Sequence, residues 1–179
     1  MSSGNIFLVG MMGAGKTTLG RALAQRLGQE FFDTDRVLVE RTGVPVGTIF
    51  EIEGEEGFRR RESAVLAELA KHEGCVIATG GGVVLAEDNR RLMRASGTVV
   101  YLRARLENLW ERTRHDSSRP LLATPNPRAK LVELLEARDP LYREAAHIIV
   151  DTGSQSAATL VTRVVTALRG PEPAAEGGA

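Results

Sequence analysis

The chain has 179 residues, and its 23 Lys and Arg balance its 23 Asp and Glu, so the formal charge is zero. That balance, with only 4% aromatic residues, argues against a surface for polyanions or for stacked single-stranded nucleic acid. A single cysteine excludes an internal disulfide, and no apolar run approaches the ~18 residues of a membrane span.

The opening stretch has no basic region, and glycines break its apolar run, so it does not read as a secretion signal. The expectation is a cytoplasmic protein, and a monomer, since nothing in the sequence calls for an oligomer. Of the 23 basic residues 20 are Arg, a skew that suits gripping carboxylates and phosphates with planar forks.

Asn5–Val9 reads as a first strand. Lys16–Leu27 reads as a helix, with Leu19, Leu23 and Leu27 four apart and Gly28 as its C-cap. Glu30–Asp33 is a second strand, followed by a short helix over Arg36–Arg41. Thr48 to Glu51 has the form of a capping box, which predicts a helix start there. Glu55–Lys71 carries Phe58, Val65, Leu66 and Leu69 on one helical face.

Cys75–Thr79 is the third strand, in which Cys75 reads as a buried, inert thiol. Thr98–Leu102 is the fourth, and Trp110 lies on a helix after it. His115–Pro127 holds three prolines, and a loop of that length between helices reads as a lid. Leu131–Ala137 is helical, His147–Asp151 is the fifth strand, and Ala157–Leu168 is the last helix. Residues 170–179, with two Pro and three Gly, read as a disordered tail beyond a single domain over 1–169. Apolar strands alternating with helices predict an α/β fold with a parallel sheet and right-handed crossovers.

Four motifs carry chemistry. Gly10-Met-Met-Gly13-Ala14-Gly15-Lys16-Thr17 matches G-x-x-x-x-G-K-[ST] between a strand and a helix. Such a loop wraps backbone N–H groups around phosphates, with Lys16 reaching the β- and γ-phosphates and Thr17 ligating Mg²⁺. Asp33 and Asp35 close the second strand, where ligands bind in open α/β sheets, although either acid alone is also suited to cap the next helix. Gly80-Gly81-Gly82 follows the third strand, either as a plain loop or as a place of close approach. Arg59, Arg112, Arg119 and Arg138 are candidate anion binders, although each taken singly reads more readily as a solvated surface residue, and at most one or two of Arg59-Arg60-Arg61 can face a site. His72, His115 and His147 are scattered and form no metal-ligand spacing.

In order, the GMMGAGKTT loop, the FFDTD strand end, the FRRRE helix, the ATGGG turn, the RPLL lid and the ARDPLY segment resemble the shikimate kinase family, from about Asn5 to Leu168. The resemblance implies transfer of the ATP γ-phosphate to the 3-hydroxyl of shikimate, in chorismate and aromatic amino-acid synthesis. It implies the P-loop, nucleoside-monophosphate-kinase type of fold, a five-stranded parallel sheet of order 2-3-1-4-5 with helices on both faces and a mobile lid over about 113–126.

By the same resemblance ATP lies on Gly13, Ala14, Gly15, Lys16, Thr17 and Thr18, with Arg112 stacked near adenine. Gln155 borders adenine within Gly153–Ser156, where GSQS lacks the basic and proline residues common in relatives. Thr17 and, through water, Asp33 hold Mg²⁺, while Lys16 and Arg119 contact the moving phosphate. Asp35, Arg59, Gly81, Gly82 and Arg138 bind shikimate, with Lys16, Asp35 and Arg119 as the catalytic set. Another small-metabolite P-loop kinase such as gluconate kinase is the alternative; it shares the first motif but not the ordered set. A guanine-reading N-K-x-D, expected of a nucleotide switch, does not occur.

Overall fold

Strand β1 (Asn5–Val9) is buried at every position, because it runs down the middle of a sheet with helices on both sides. The computed structural model describes residues 4–170, so the tail expected over 170–179 lies, beyond its first glycine, outside the described residues. The remaining strands are β2 (Glu30–Asp33), β3 (Cys75–Ala78), β4 (Gly97–Ala104) and β5 (Ile148–Thr152). All pair in parallel in the order β2-β3-β1-β4-β5. Exposure follows position: β3 is wholly buried, whereas the edge strands β2 and β5 are partly open.

The order fixes where the helices lie. Helix α1 (Lys16–Leu27) carries the chain from β1 past β3 to β2. Helices α2 (Thr34–Thr42), α3 (Val46–Leu69), α4 (Glu87–Ser96), α5 (Leu106–Thr113) and α6 (Pro127–Ala145) lie on connections running the other way. Right-handed crossovers in opposite directions put the two sets on opposite faces. Helix α7 (Ala157–Arg169) returns to pack on α1. The core is therefore two apolar layers, with Leu19, Leu23 and Val164 on one side and Leu66, Met93 and Leu131 on the other.

Several expected boundaries move. Helix α3 begins at Val46 behind Pro45, and no side chain caps it, so the Thr48 capping box does not form. Pro45 already holds the extended backbone an N-cap needs, and Thr48 N–H donates to its carbonyl at 3.0 Å. The two helical segments expected there join into one, bent at Gly54, whose φ of 71° is non-helical. Helix α6 outruns its predicted span at both ends. Asn126 caps it by accepting from Ala129 N–H at 3.1 Å, and it continues through Pro140. Helix α4 was not expected, since EDNRRLMRAS buries only Asn89 and Met93 and shows no apolar stripe. Among the described residues no helix is long and apolar enough to cross a membrane.

Asn5, 2% exposed, fastens the turn that leads into β3. Its Nδ2 donates to the carbonyls of Ala70 at 3.3 Å and His72 at 2.6 Å, and its Oδ1 accepts from Cys75 N–H at 3.1 Å. Replacing Asn5 by Ala leaves that buried N–H without its acceptor, so urea unfolding should show a loss of about 2–4 kcal/mol.

Candidate active site

The C-terminal ends of β1, β2 and β3 are neighbours, so the segments that follow them meet in one cleft. After β1 the chain folds into the phosphate-binding loop, in which Gly10, Gly13 and Gly15 all have positive φ. At Gly15 (φ 93°) a Cβ would meet nothing within 4 Å, so the demand there is conformational. Lys16 Nζ folds back over the loop, donating to the carbonyls of Gly10 at 2.5 Å and Met11 at 3.0 Å. Burial, its largest influence, and the nearby Arg119 and Arg138 lower its pKa, while Asp35 and Asp33 oppose them; the result is about 8.

The two acids after β2 divide their work. Asp33 is the helix cap: its Oδ1 accepts from the N–H groups of Asp35 at 3.0 Å and Arg36 at 3.3 Å. Its Oδ2 accepts from the Thr17 hydroxyl at 2.7 Å. Asp35 caps nothing, and its buried Oδ1 has no hydrogen-bond partner. Burial, followed by the charge of Asp33, raises its pKa, against the pull of Lys16, Arg59 and Arg119.

After β3 comes the triple-glycine turn, whose reason is space. None of Gly80, Gly81 and Gly82 has a positive φ. A Cβ at Gly80 would press on the carboxylates of Glu62 and Asp35, at Gly81 on Arg138 Nη1, and at Gly82 on the whole Arg59 guanidinium. Of the arginine run only Arg59 turns inward, donating to Glu62 Oε1 at 3.0 Å and Glu55 Oε1 at 3.4 Å. Arg60 and Arg61 pair outward with Glu56 and Glu53.

Arg138 is 2% exposed on α6. That segment is pinned from behind, where Tyr142 donates to Gly81 O at 2.5 Å and stacks on Tyr101, ring centroids 4.9 Å apart. Tyr101 in turn donates to Asp139 Oδ1 at 2.7 Å. Burial, above all, pushes the Tyr142 hydroxyl to about 12, so it stays a neutral donor.

Glu62 escaped the sequence reading. Its side chain is 1% exposed, its Oε2 has no partner, and burial is the main cause of its raised pKa. The only signal was its place three residues after Arg59, a spacing any exposed helix also shows.

Two connected chambers result. The larger, about 1150 Å³, is lined by Arg59, Glu62, Gly82 and Arg138 and walled by Val44, Phe50 and Phe58. The smaller, about 300 Å³, holds Gly13, Gly15, Lys16, Thr17, Thr18, Asp33 and Arg112. Met12, Asp35, Gly80, Gly81 and Arg119 line both. Arg119 precedes a short 3-10 turn over Pro120–Leu122 and ion-pairs with Asp116 at 2.9 Å. Arg112 donates to Gly13 O at 2.9 Å and Gly153 O at 3.0 Å, bridging the phosphate loop and the segment after β5. Gln155 in that segment keeps a buried Oε1 without a partner. Ala14, 3% exposed, packs its methyl into the core while its backbone continues the loop between Gly13 and Gly15.

A family model described as shikimate kinase matches residues 12–169. A shikimate kinase of Nitrosospira multiformis is 59% identical over 87% of this chain and 80% of its own length. One from Dechloromonas aromatica is 62% identical over 82% and 80%. The solved shikimate kinase from Acinetobacter baumannii, in complex with shikimate, superposes with a TM-score of 0.92 at 47% identity, covering 93% of each chain. A gluconokinase from Sinorhizobium meliloti has a TM-score of 0.54 at 19% identity, covering 93% of this chain and 95% of its own, and shares the fold alone.

With nothing in the loop, the Lys16 amine should titrate near pH 8 by heteronuclear NMR. Asp35 is the anion that most raises it, so Asp35→Asn should move that midpoint lower still. An unchanged midpoint would contradict the coupling.

Proposed function

The chain belongs to the shikimate kinase family, and we propose that it transfers the γ-phosphate of ATP to the 3-hydroxyl of shikimate where its two chambers join. The observation that carries this reading is Asp35, a buried carboxylate with an unpartnered oxygen, lining both chambers beside Arg119. A hydroxyl entering from the larger chamber finds its acceptor there, facing the loop that cradles phosphates.

Each ligand group has a counterpart. Arg59 and Arg138 take the shikimate carboxylate through charge-assisted hydrogen bonds. Gly81 and Gly82 let those arginines and the ring lie close to the backbone. Asp35 accepts from the attacking hydroxyl, and its raised pKa suits it to receive the proton. Gly13, Gly15, Lys16, Thr17 and Thr18 hold the ATP phosphates, and Lys16 exchanges two carbonyl partners for phosphate oxygens. Arg119 brings a second cation to the moving phosphoryl group when the lid over about 113–126 closes and expels water. Arg112 and Gln155 border the adenine.

Mg²⁺ fits the donors present. The Thr17 hydroxyl and the Asp33 carboxylate are hard oxygens 2.7 Å apart, already aligned at the phosphate loop. They would hold the ion, which neutralises charge on the β- and γ-phosphates. All these groups come from one chain, which supports a monomer, and dependence on ATP supports a cytoplasmic location. The gluconate alternative retains only the shared fold.

ADP release measured with shikimate, gluconate, AMP or no acceptor tests the reading. Turnover should require shikimate, and full-rate hydrolysis without it would overturn the assignment. In the same assay Asp35→Asn should lose about 10²–10⁴-fold in kcat. Because the Asp35 pKa is raised, wild-type activity should fall on the acid side above the ordinary carboxylate range, as protonation removes the acceptor.

Gly82→Ala separates the two substrates. Gly82 has φ −94°, which alanine adopts without strain, and the atoms nearest the added methyl all belong to the guanidinium end of Arg59. Displacing Arg59 from the buried Glu62 should lower stability by about 1–3 kcal/mol, and the KM for shikimate should rise about 10–100-fold through loss of a charged hydrogen bond, with the KM for ATP nearly unchanged.

A further inference from the structure

A second cluster of ligating side chains lies at the opposite, N-terminal edge of the sheet. Glu30 opens β2 and Cys75 opens β3, and the two are register partners in the parallel ladder. Their side chains therefore stand beside each other on one face. His72 lies on the turn just before β3. A carboxylate oxygen of Glu30, a ring nitrogen of His72 and Cys75 Sγ all lie within 4.8 Å of one another.

We propose that Glu30, His72 and Cys75 form a binding site for a borderline-soft divalent transition ion such as Zn²⁺ or Co²⁺, separate from the phosphate-loop site. The donor set decides the class of ion. One thiolate, one imidazole and one carboxylate suit Zn²⁺ and its analogues, whereas Mg²⁺ selects oxygens alone. With metal bonds of about 2.0 Å to nitrogen and oxygen and about 2.3 Å to sulfur, tetrahedral ligands sit roughly 3.5 Å apart, so any separation near the 4.8 Å limit must shorten toward that value. Glu30 and His72 are exposed and can swing inward onto the buried Cys75.

The surroundings hold the ligands ready. Asn5 ties the His72 carbonyl and the Cys75 N–H to one buried amide, which fixes the spacing of those two residues. The His72 ring rests against Phe32, two residues along β2 from Glu30, with centroids 5.1 Å apart, which keeps it beside the other two ligands. Such supporting contacts orient ligands in built metal sites. On binding, the Cys75 thiol gives its proton to solvent and leaves its weak 3.8 Å contact with Glu73 O as the sulfur–metal bond forms. No electron is transferred, and solvent fills the fourth position.

Co²⁺ titrated into the full, reduced chain without nucleotide tests the site. One equivalent should produce a near-ultraviolet thiolate-to-cobalt band together with the visible bands of tetrahedral Co²⁺, and Zn²⁺ should bleach both. Cys75→Ser should abolish the ultraviolet band. His72→Gln and Glu30→Gln, both at exposed positions, should weaken binding at least tenfold, and Zn²⁺ should raise the Tm of the wild type but not of His72→Gln. Ions held by Thr17 and Asp33 meet oxygen donors only and give no thiolate band. Absence of that band, or a His72→Gln titration matching wild type, would overturn the proposal.

Discussion

Four charged side chains share the space that three missing Cβ atoms leave open. Glu62 and Asp35 lean on Gly80, Arg138 on Gly81 and Arg59 on Gly82. Charges withdrawn from water are costly unless they meet opposite charges at short range, and the bare turn lets them do so. Arg59 reaches Glu62 at 3.0 Å, while Asp35 feels Lys16, Arg59 and Arg119 together. Charge is balanced there more fully than hydrogen bonding. Asp35 Oδ1, Glu62 Oε2 and Arg59 Nε are buried without partners. Orphan polar atoms facing one chamber from several elements mark a site shaped for a polar ligand.

The sheet order makes this arrangement possible. Strand β3 lies between β2 and β1, so the glycine turn at its end is flanked by the Asp33–Asp35 segment and the phosphate loop. Helix α6 closes the remaining side, and the Tyr142 hydroxyl ties it to the Gly81 carbonyl. The same bond that steadies the turn also fixes the helix carrying Arg138. A rigid frame of this kind matters for phosphoryl transfer, in which positioning and electrostatics supply most of the rate. Arg119 stands on a loop between α5 and α6, anchored by the buried Leu122.

The phosphate loop and all five strands were legible because their signals are local. An apolar run or a glycine-lysine pattern needs no knowledge of distant residues, and β1 and β2 match their predicted spans. Helix α4 was not legible, since its packing depends on Met93 and Asn89 within an otherwise polar stretch. The Asp33 and Asp35 ambiguity also lay beyond the sequence. Both acids fit a cap, and only the three-dimensional path shows that Asp33 takes that work and leaves Asp35 free. Similarly, Gly80–Gly82 suggested close approach without naming what approaches, because Glu62, Arg59 and Arg138 arrive from two other helices. The Glu30, His72 and Cys75 cluster was invisible for the same reason, as strand pairing joins residues distant in the chain.

In the proposed reaction the electrostatics of Asp35 would give the two substrates a common effect. In the free protein Lys16, Arg59 and Arg119 lower its pKa, opposing burial and Asp33. Phosphates in the loop neutralise Lys16 and Arg119 and add negative charge nearby. A carboxylate bound, as proposed, by Arg59 and Arg138 would neutralise the cations of the other chamber. Both changes remove influences that hold the Asp35 pKa down, so both make it a stronger proton acceptor. Closure of the proposed lid would push the same way by removing water. Neither substrate alone completes the change, so the acceptor is strongest only when hydroxyl and γ-phosphate are both present. That ordering disfavours hydrolysis of ATP in the absence of the acceptor, when water would be the only nucleophile available.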